Sequence, residues 1–375
     1  MIGKAVFWGS LGALAWTHAG YPLAAAALAR LRSRPVRKDE IRPNVSVVVA
    51  AHNEEGVIAD RVENLLGQQY PHDRLEVVVA SDGSTDRTDE IVQTLAEQDA
   101  RVRLLRFARA GKVATQNRAV RATDSEIVAF TDANARWEPD ALALLVRNFA
   151  DPDVAYVCGG HRYDAADGTN RESTYWRYES WVRRSESALG SITGGIGPIY
   201  AVRRSDYVEN DPRIGHDLGF PYVMTQRGRR AVYEPAAVAT ERPSRDIEDE
   251  YRRKVRMLAQ SWLQVLTGRM LRGGGLLYIA QIVSHRLLRY ASGMLHVALF
   301  AASVALARER GVYRVALAGQ VAWLVLAAAG RLRLRVPGAA LAYYYFLVTL
   351  ATLGGLVRYV RSGSPVVWEK VEGTR

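Results

Sequence analysis

Polar side chains that could bind a nucleotide follow two short apolar runs of this sequence. The run Val45 to Ala50 leads into Ala51-His52-Asn53-Glu54, and the run Leu75 to Ala80 leads into Ser81-Asp82-Gly83-Ser84-Thr85-Asp86. His52 could stack on a nucleobase or form a hydrogen bond with it. Asp82 could accept hydrogen bonds from a base or a ribose. Taken alone, the first motif is better explained as a helix start with Asn53 as its N-cap.

Two later motifs could hold a diphosphate. Gly111-Lys112 precedes a helical run, where a backbone can approach a pyrophosphate closely and an ammonium supplies positive charge. Asp132 and Asn134 follow the apolar run that ends at Phe130, and side chains at i and i+2 of an extended strand point the same way. Together they could hold a hard divalent cation, Mg²⁺ or Mn²⁺, although an ordinary turn after a strand explains this tripeptide better when it is taken alone.

The elements that must position these motifs alternate between strands and helices. Strands are predicted at 45–50, 75–80, 101–107 and 127–130, with helical stretches such as 86–98 and 142–149 between and after them. This alternation indicates βαβ units and a mainly parallel sheet. Because ligands of such sheets bind beyond the carboxyl ends of the strands, the four motifs are expected to meet at one edge.

The order of these motifs resembles that of the family-2 glycosyltransferases, in the inverting branch with cellulose-synthase-like and hyaluronan-synthase-like enzymes. The matching residues are His52-Asn53-Glu54, Asp82 to Asp86, Gly111-Lys112, Asp132-Ala133-Asn134 and His216-Asp217. The resemblance implies an α/β fold of the GT-A nucleotide-diphospho-sugar transferase type. Such a fold has a Rossmann-like mixed sheet, here joined to N- and C-terminal transmembrane helices.

The resemblance also implies roles for residues of the donor site. Ala51, His52 and Glu54 would line the nucleobase pocket, Asp82 would bind the base or ribose, and Lys112 would lie near the phosphates. Asp132 would bind Mg²⁺ or Mn²⁺. Asn134 stands where the family has a second aspartate. An aspartate with an asparagine is a weaker set of metal ligands than two aspartates.

Other implied roles concern the acceptor and the leaving group. Asp217 would be the general base that inversion requires. Gly195, His216 and Trp176 are candidates for contacts with the acceptor. Arg256 matches the arginine of the Gln-x-x-Arg-Trp motif of processive enzymes, whereas Arg253 replaces its glutamine and Met257 its tryptophan. We expect Arg253 and Arg256 to contact the nucleotide-sugar, and the missing tryptophan favours a non-processive enzyme.

The charge and composition of the chain indicate which other partners it could bind. Fifty Lys and Arg against 39 Asp and Glu give a net charge of +11, but no nucleic-acid-binding signature is present. Many basic residues border apolar stretches, where anionic lipid headgroups would lie. The single cysteine, Cys158, is expected to be a core residue on a strand.

Apolar segments predict a membrane protein. Residues 5–29 contain no charged side chain apart from histidine and precede five basic residues between Arg30 and Lys38, which places the following domain in the cytoplasm. A cleaved signal peptide is the alternative. Residues 248–270 read as an amphipathic helix on a membrane surface. Three further apolar segments lie near 287–307, 312–330 and 339–357, and their basic flanks do not determine the topology.

The predicted organisation follows from these patterns. It comprises a membrane helix with its basic flank (1–35), a cytoplasmic catalytic domain (40–247), interfacial helices (248–275), membrane helices (276–360) and a tail (361–375). We expect a multi-pass protein of the inner (plasma) membrane that transfers a sugar to a lipid-linked or growing surface-polysaccharide acceptor. The expected donor is UDP-linked, because uridine diphosphate is the commonest carrier in the family that the sequence resembles. A homo-oligomer is compatible with the sequence. The alternatives are a processive polysaccharide synthase that translocates its polymer and a non-catalytic sugar-nucleotide-binding membrane subunit.

Overall fold

The computed structural model describes residues 1–163, 171–242 and 247–364. The chain divides into two compact units. The first, called here the sheet unit, comprises the described residues of Ala26–Arg245 and of Arg269–Tyr278. The second, called the helical unit, comprises Met1–Ala25, Asp246–Gly268 and Ile279–Ser364. The helical unit thus groups the N-terminal helix with the helices after residue 246, which the sequence patterns treated as separate regions.

The helices of the described residues are numbered in chain order. They are α1 (Ile2–Ala15), α2 (Tyr21–Leu31), α3 (Ile58–Leu66), α4 (Thr88–Gln98), α5 (Lys112–Arg121), α6 (Ala141–Val146), α7 (Arg171–Leu189), α8 (His216–Gln226), α9 (Ile247–Leu266), α10 (Leu276–Gln281), α11 (Leu288–Tyr290), α12 (Ser292–Leu306), α13 (Gly311–Arg331) and α14 (Ala339–Ser362). Single π-helical turns at Trp16–Gly20 and Ile282–Leu287 join neighbouring helices.

Eight strands form one sheet in the order β3-β2-β1-β4-β7-β6-β8-β5. They are β1 (Val45–Ala51), β2 (Leu75–Asp82), β3 (Val102–Phe107), β4 (Ile127–Thr131), β5 (Arg136–Trp137), β6 (Val154–Tyr163), β7 (Tyr200–Arg203) and β8 (Arg230–Glu241). Strands β3, β2, β1 and β4 are parallel, whereas β7 is antiparallel to both β4 and β6. Strand β8 is parallel to β6 and antiparallel to β5. The predicted mixed α/β sheet is therefore confirmed.

Both faces of the sheet are covered by apolar side chains. Val47 and Val49 of β1 belong to one core cluster, together with Val62 of α3, while Val48 belongs to a second cluster with Phe130 and Phe220. All seven residues of β1 are buried, as expected for a parallel strand between two layers. Cys158 lies on β6 and is fully buried, which confirms its assignment to the core.

The helical unit contains two helices, α13 and α14, that are long and apolar enough to cross a membrane. The count rises to three if the helices of Leu276–Tyr290 and Ser292–Leu306, bent by 64° to each other, form one span. These helices agree with the predicted C-terminal apolar segments. The N-terminal crossing stays a prediction, since neither α1 nor α2 reaches that length by itself.

Helix α9 coincides with the predicted amphipathic segment. Within the helical unit it packs along α14, where Trp262 donates a hydrogen bond from Nε1 to the carbonyl oxygen of Thr352 at 2.9 Å. Gly355 permits this close packing, because a Cβ there would lie 2.7 Å from Leu258 Cβ. One face of the helix is therefore occupied by a helix of the same chain, and Arg252 and Met257 are exposed.

Candidate active site

The carboxyl ends of β2, β1 and β4 lie side by side in the sheet, because these three strands are parallel neighbours. Each strand runs directly into one of the predicted motifs. Helix α8 adds Asp217 in its first turn. The sheet therefore brings together polar side chains that are far apart in sequence, as predicted.

The loops after β1 and β2 are joined by several hydrogen bonds. His52 Nδ1 lies 3.0 Å from the carbonyl oxygen of Asp82, and the amide N–H of Thr85 donates to Asn53 Oδ1 at 2.8 Å. The Glu54 N–H donates to Thr88 Oγ1 at 2.7 Å. Burial lowers the pKa of His52, and the positive charge of a nearby arginine adds to this effect. A neutral imidazole at this position is suited to stacking on a base.

Asn53 has a left-handed backbone with φ of 56°. This conformation is tolerated by asparagine better than by most residues. Its amide N–H donates to Ser84 Oγ at 3.2 Å, while its side chain accepts from Thr85. Asn53 therefore connects the two loops. No helix begins at this residue, since α3 starts at Ile58.

Asp82 fixes the turn that carries Lys112. Its buried Oδ1 accepts hydrogen bonds from the N–H of Ala110 at 2.7 Å and from Thr115 Oγ1 at 2.8 Å. Its Oδ2 accepts one from the N–H of Gly111 at 3.0 Å. Gly111 has a φ of 95°, which a residue with a Cβ rarely adopts. The predicted contact of Asp82 with base or ribose stays a prediction, beside this structural role.

Lys112 forms an ion pair with Asp132 across the mouth of the site. The two side chains are 30% and 26% exposed, so a ligand can reach both. Burial works against the charge of Lys112, but Asp132, then Asp217 and Glu241, outweigh burial and raise the pKa of the ammonium group. Lys112 is thus a permanent cation surrounded by three carboxylates.

Asp132 and Asn134 are the partly accessible residues of the loop after β4, whereas Ala133 and Ala135 between and after them are buried. The segment is a turn, closed by a hydrogen bond from the Ala135 N–H to the carbonyl oxygen of Asp132 at 3.3 Å, rather than the extended strand end that the prediction assumed. Joint binding of a cation by Asp132 and Asn134 stays a prediction. In the described ranges, no group of three or more His, Cys, Asp or Glu side chains could hold a metal ion. A cation here would need oxygens from a ligand to complete its coordination.

Asp217 lies in the first turn of α8, after Gly215. Burial raises the pKa of its carboxyl group; Lys112 opposes this effect, and Asp132 adds to it. A Cβ placed on Gly197 would lie 3.8 Å from both Asp132 Oδ2 and Asp217 Oδ2. The two carboxylates therefore face one small space beside Gly197.

Gly195 holds the backbone next to Asp217. Its N–H donates to the carbonyl oxygen of Asp217 at 2.7 Å, and a Cβ there would lie 1.9 Å from the hydroxyl oxygen of Tyr156. Only glycine fits this position. The predicted acceptor contact of Gly195 could involve its backbone alone.

The ring of His216 is buried below this turn. Its Nδ1 lies 3.1 Å from the Tyr200 hydroxyl, and its Nε2 lies 3.2 Å from Asn117 Oδ1. Burial, with a smaller effect of Lys112, lowers the pKa of His216 to about 3, so the ring is neutral. This placement supports a positioning role under Asp217 rather than the predicted contact with the acceptor.

The other predicted residues lie in several places. Ala51 and Glu54 are buried at the end of β1, so contacts of their side chains with a nucleobase stay predictions. Trp176 lies on α7 and packs against His161, with ring centroids 5.0 Å apart. Arg253 and Arg256 lie on α9 in the helical unit, where Arg253 pairs with Glu250 at 2.8 Å. Their predicted contact with the diphosphate stays a prediction.

Two features of the site were missed by sequence reasoning. Arg61 of α3 is 2% exposed; it donates to Thr131 Oγ1 at 2.6 Å and packs over the ring of Trp137. Glu241 at the end of β8 binds His161, with Oε2 and Nε2 2.8 Å apart. The only signal for Arg61 was a charged residue on the apolar face of α3, three residues after Ile58 and next to Val62. Glu241 had none, since its partner is 80 residues away.

Comparisons with known proteins agree with this geometry. Residues 46–210 match the family described as Glycosyl transferase family 2. A beta-monoglucosyldiacylglycerol synthase from Nostoc sp. is 31% identical over 211 residues, which cover 53% of this chain and 44% of that protein. A poly-beta-1,6-N-acetyl-D-glucosamine synthase from Staphylococcus aureus is 24% identical over 217 residues, or 56% of this chain and 52% of that protein. The chain thus spans about half the length of the curated relatives it matches.

A solved structure is similar over nearly the whole chain. A mannosyltransferase from Pyrobaculum calidifontis, in complex with GDP-Man and Mn²⁺, has a TM-score of 0.71 at 24% identity. The likeness covers 96% of this chain and 98% of the other. At this identity it bears on the fold alone. The GT-A-like mixed sheet predicted from the sequence is confirmed, and the match over residues 46–210 agrees with the predicted family.

Proposed function

We propose that this chain, which carries a glycosyl transferase family 2 domain at residues 46–210, transfers a sugar with inversion from a nucleotide-diphosphate sugar to a glycolipid or polysaccharide acceptor. The observation that carries the proposal is the meeting of Lys112, Asp132 and Asp217 at one edge of the sheet. A carboxyl group of raised pKa stands there beside a cation and a second carboxylate.

Asp217 is the proposed general base. Its carboxylate takes the proton of the acceptor hydroxyl while that oxygen attacks the anomeric carbon. The bond from this carbon to the diphosphate oxygen breaks, and the nucleoside diphosphate leaves with the electron pair. A raised pKa strengthens a carboxylate as a base, and it also means that activity increases as the pH rises through that pKa.

Lys112 is the proposed electrostatic partner of the departing diphosphate. Its raised pKa keeps it cationic during turnover, and its position in the first turn of α5 directs the positive end of the helix dipole to the same place. Asp82 fixes this turn from below, so the charge is held in position before the donor arrives.

A divalent cation, Mg²⁺ or Mn²⁺, fits Asp132 and Asn134 if the diphosphate supplies further oxygens. Both side chains are partly accessible, and a carboxylate with an amide oxygen is a suitable hard donor set. When bound, the cation neutralises negative charge on the diphosphate. Asn134 contributes less charge than an aspartate, so we expect the cation to bind weakly without the nucleotide.

The chain is proposed to work at the cytoplasmic face of the inner (plasma) membrane. Helices α13 and α14 support membrane insertion, and the basic residues between Arg30 and Lys38 support a cytoplasmic sheet unit. Met257, in place of the tryptophan of processive enzymes, supports a single transfer or short runs of transfer.

The test is release of nucleoside diphosphate by the full chain in detergent. UDP- and GDP-sugars are offered with Mg²⁺ or Mn²⁺ and a membrane lipid extract as the acceptor source. The variants are Asp217→Asn and Asp132→Ala, with Asp124→Asn as the matched control because Asp124 is fully exposed. We expect one donor to be consumed, with a loss of about 10²–10⁴-fold for Asp217→Asn. Equal release by wild type and Asp217→Asn with every donor would favour the non-catalytic binding subunit, and long polymers would favour a processive synthase.

A further inference from the structure

A buried arginine lies behind the loop that carries Asp132. Arg61 is on α3, and its side chain is enclosed by the protein. Burial lowers the pKa of its guanidinium group to about 9, while the negative charges of Asp132 and then Glu241 oppose this effect. Arg61 is therefore cationic at neutral pH. A buried charge destabilises a fold unless other groups bind it, so the partners of Arg61 show what it holds in place.

The arginine begins a chain of hydrogen bonds that has a fixed direction. Arg61 Nη2 donates to Thr131 Oγ1 at 2.6 Å, and this hydroxyl donates to the carbonyl oxygen of Pro198 at 2.8 Å. A guanidinium group can only donate, so the single proton of the hydroxyl is left for a carbonyl. The carbonyl oxygen of Asp132 lies farther from the hydroxyl, at 3.4 Å. Arg61 thus determines that Thr131 donates to Pro198.

Trp137 supplies a second donor to the same carbonyl. Its Nε1–H donates to the Pro198 oxygen at 2.9 Å. The backbone of Trp137 is held by Asn64, whose Oδ1 accepts from the Trp137 N–H at 2.9 Å and whose Nδ2 donates to the Trp137 carbonyl at 2.9 Å. Arg61 also donates to Asn64 Oδ1. Two residues of α3 therefore hold both donors that fix the Pro198 carbonyl.

Pro198 ends the segment that passes between the two carboxylates of the site. The residue before it is Gly197, where a Cβ would lie 3.8 Å from Asp132 Oδ2 and from Asp217 Oδ2. The segment is also fixed at its start, because the Gly195 N–H donates to the carbonyl oxygen of Asp217 at 2.7 Å. Residues 195–198 are therefore tied to Asp217 at one end and to the end of β4, next to Asp132, at the other.

Packing of the core does not require a charge at this position. Arg61 shares one buried face of α3 with Ile58, Val62 and Leu65, which are apolar. Apolar side chains that replace buried charges of similar size are often neutral or stabilising. The guanidinium is therefore better explained by the groups that it positions than by stability.

We propose that Arg61 is a positioning residue for sugar transfer. Through Thr131 and the Pro198 carbonyl it fixes residues 195–198, and with them the separation of Asp132 and Asp217. The proposal rests on the proposed function, and it gives a role in the reaction to a residue that touches neither substrate. A shift of about 1 Å between the diphosphate at Asp132 and the base at Asp217 would lower the transfer rate about 10²-fold.

The first test measures kcat and the donor KM for nucleoside diphosphate release by the full chain in detergent, with each rate divided by the folded fraction of the preparation. Arg61→Met removes the charge, Thr131→Val removes the hydroxyl but keeps the shape, and Thr131→Ser restores the hydroxyl. Arg203→Met is the matched control. Arg203 also binds a backbone carbonyl, that of Phe149 at 2.7 Å, but it pairs with Ile127 at the other end of β4.

We expect kcat to fall about 10²-fold in Arg61→Met and in Thr131→Val, with the donor KM changed less than about threefold. The double variant should lose no more than the weaker single variant, because both substitutions break one chain of hydrogen bonds. Thr131→Ser should recover kcat to within about threefold of the wild type, and Arg203→Met should keep the wild-type kcat per folded molecule. If Arg61→Met does not fold, the two Thr131 variants provide the test.

The second test measures hydrogen exchange of the peptide 191–199 in the absence of ligands, and it does not depend on turnover. If Arg61 and Thr131 hold this segment, its amides exchange faster in Arg61→Met and in Thr131→Val, and as in the wild type in Arg203→Met. Exchange that is unchanged in the first two variants would overturn the proposal.

The two tests separate this proposal from the proposed function. A kcat per folded molecule that stays at the wild-type value in Arg61→Met and Thr131→Val, or a rise in KM alone, would overturn the positioning role while the enzyme stays active. A wild type that releases no nucleoside diphosphate with any donor would overturn the proposed function, and with it the role of Arg61 in transfer. Hydrogen exchange would then still decide whether Arg61 holds residues 195–198.

Discussion

Two glycines beside Asp217, the proposed general base, are expected to respond in opposite ways to the same added methyl group. A Cβ on Gly195 would lie 1.9 Å from the Tyr156 hydroxyl oxygen, whereas a Cβ on Gly197 would lie 3.8 Å from Asp132 Oδ2 and Asp217 Oδ2. The first distance is a severe overlap inside the core. The second is ordinary contact, but the methyl would occupy the space between the two carboxylates.

The magnitudes follow from these contacts. Gly195→Ala overpacks a buried site and should lower the free energy of unfolding by about 1–3 kcal/mol or more. Gly197→Ala lowers the backbone entropy of the unfolded chain and introduces no clash. It should therefore change the free energy of unfolding by less than about 1 kcal/mol in either direction. Its turnover should fall about 10²-fold, because displacement of reacting groups by about 1 Å has an effect of that size.

The assay combines thermal unfolding with release of nucleoside diphosphate for both variants. Tyr156→Phe serves as a rescue, since among the described residues the Tyr156 hydroxyl has no hydrogen-bond partner and its removal relieves the closest overlap. The double variant of Gly195 and Tyr156 should regain part of the lost stability. A stable Gly195→Ala, or a fully active Gly197→Ala, would refute the reasoning about this space.

Three further predictions concern the charged groups. Burial raises the pKa of Asp217, so ionisation of its carboxyl group destabilises the fold as the pH rises from about 4 through that pKa. In thermal unfolding, Asp217→Asn should therefore lose less stability than the wild type between pH 4.5 and 8. Equal losses of stability in the two proteins would contradict this cause. Asp82→Ala should lower the free energy of unfolding by roughly 1–3 kcal/mol, because two hydrogen-bond donors on either side of Lys112 lose their acceptor. Urea titration measures this change, and an unchanged midpoint of unfolding would argue against it. Removal of divalent cations with a chelator should stop turnover, and Asn134→Asp should lower the Mn²⁺ concentration for half-maximal rate about tenfold, an effect that is absent if Asn134 does not bind the cation.

The half of the sheet that carries the donor motifs could be predicted from the sequence. Strands β1, β2 and β4 are short, nearly uninterrupted apolar runs, and both faces of such strands are buried. Their parallel pairing then required the residues after them to meet. The ends of these strands were correct to within one or two residues.

The other half could not be predicted in this way. Strand β5 has two residues and β7 has four, which are too short for a pattern, and β8 contains Pro235 inside its span. The pairing of β6 with β8 is what brings His161 to Glu241. Their role at the site therefore depends on tertiary contacts that no local pattern encodes.

Residue types at the site were predicted better than their roles. The prediction that Lys112, Asp132 and Asp217 converge rested on motif order, and their electrostatic coupling agrees with it. The burial of His216 and the use of Asp82 by its own chain depend on neighbours such as Tyr200 and Thr115. These neighbours come from other elements, so no local pattern indicates that the two polar groups would be satisfied within the protein.

The hydrogen bonds between the loops after β1 and β2 have a consequence for how fast a nucleotide can associate. Because Asn53 ties the two loops together, they are ordered before any ligand arrives, and no loop has to close for this part of the pocket to form. The conformational entropy of these residues is lost on folding rather than on binding. Association of a nucleotide at this half of the proposed donor site should then be limited by diffusion and charge rather than by rearrangement. On the same proposal, selection for a different base would have to change residues of both loops at once.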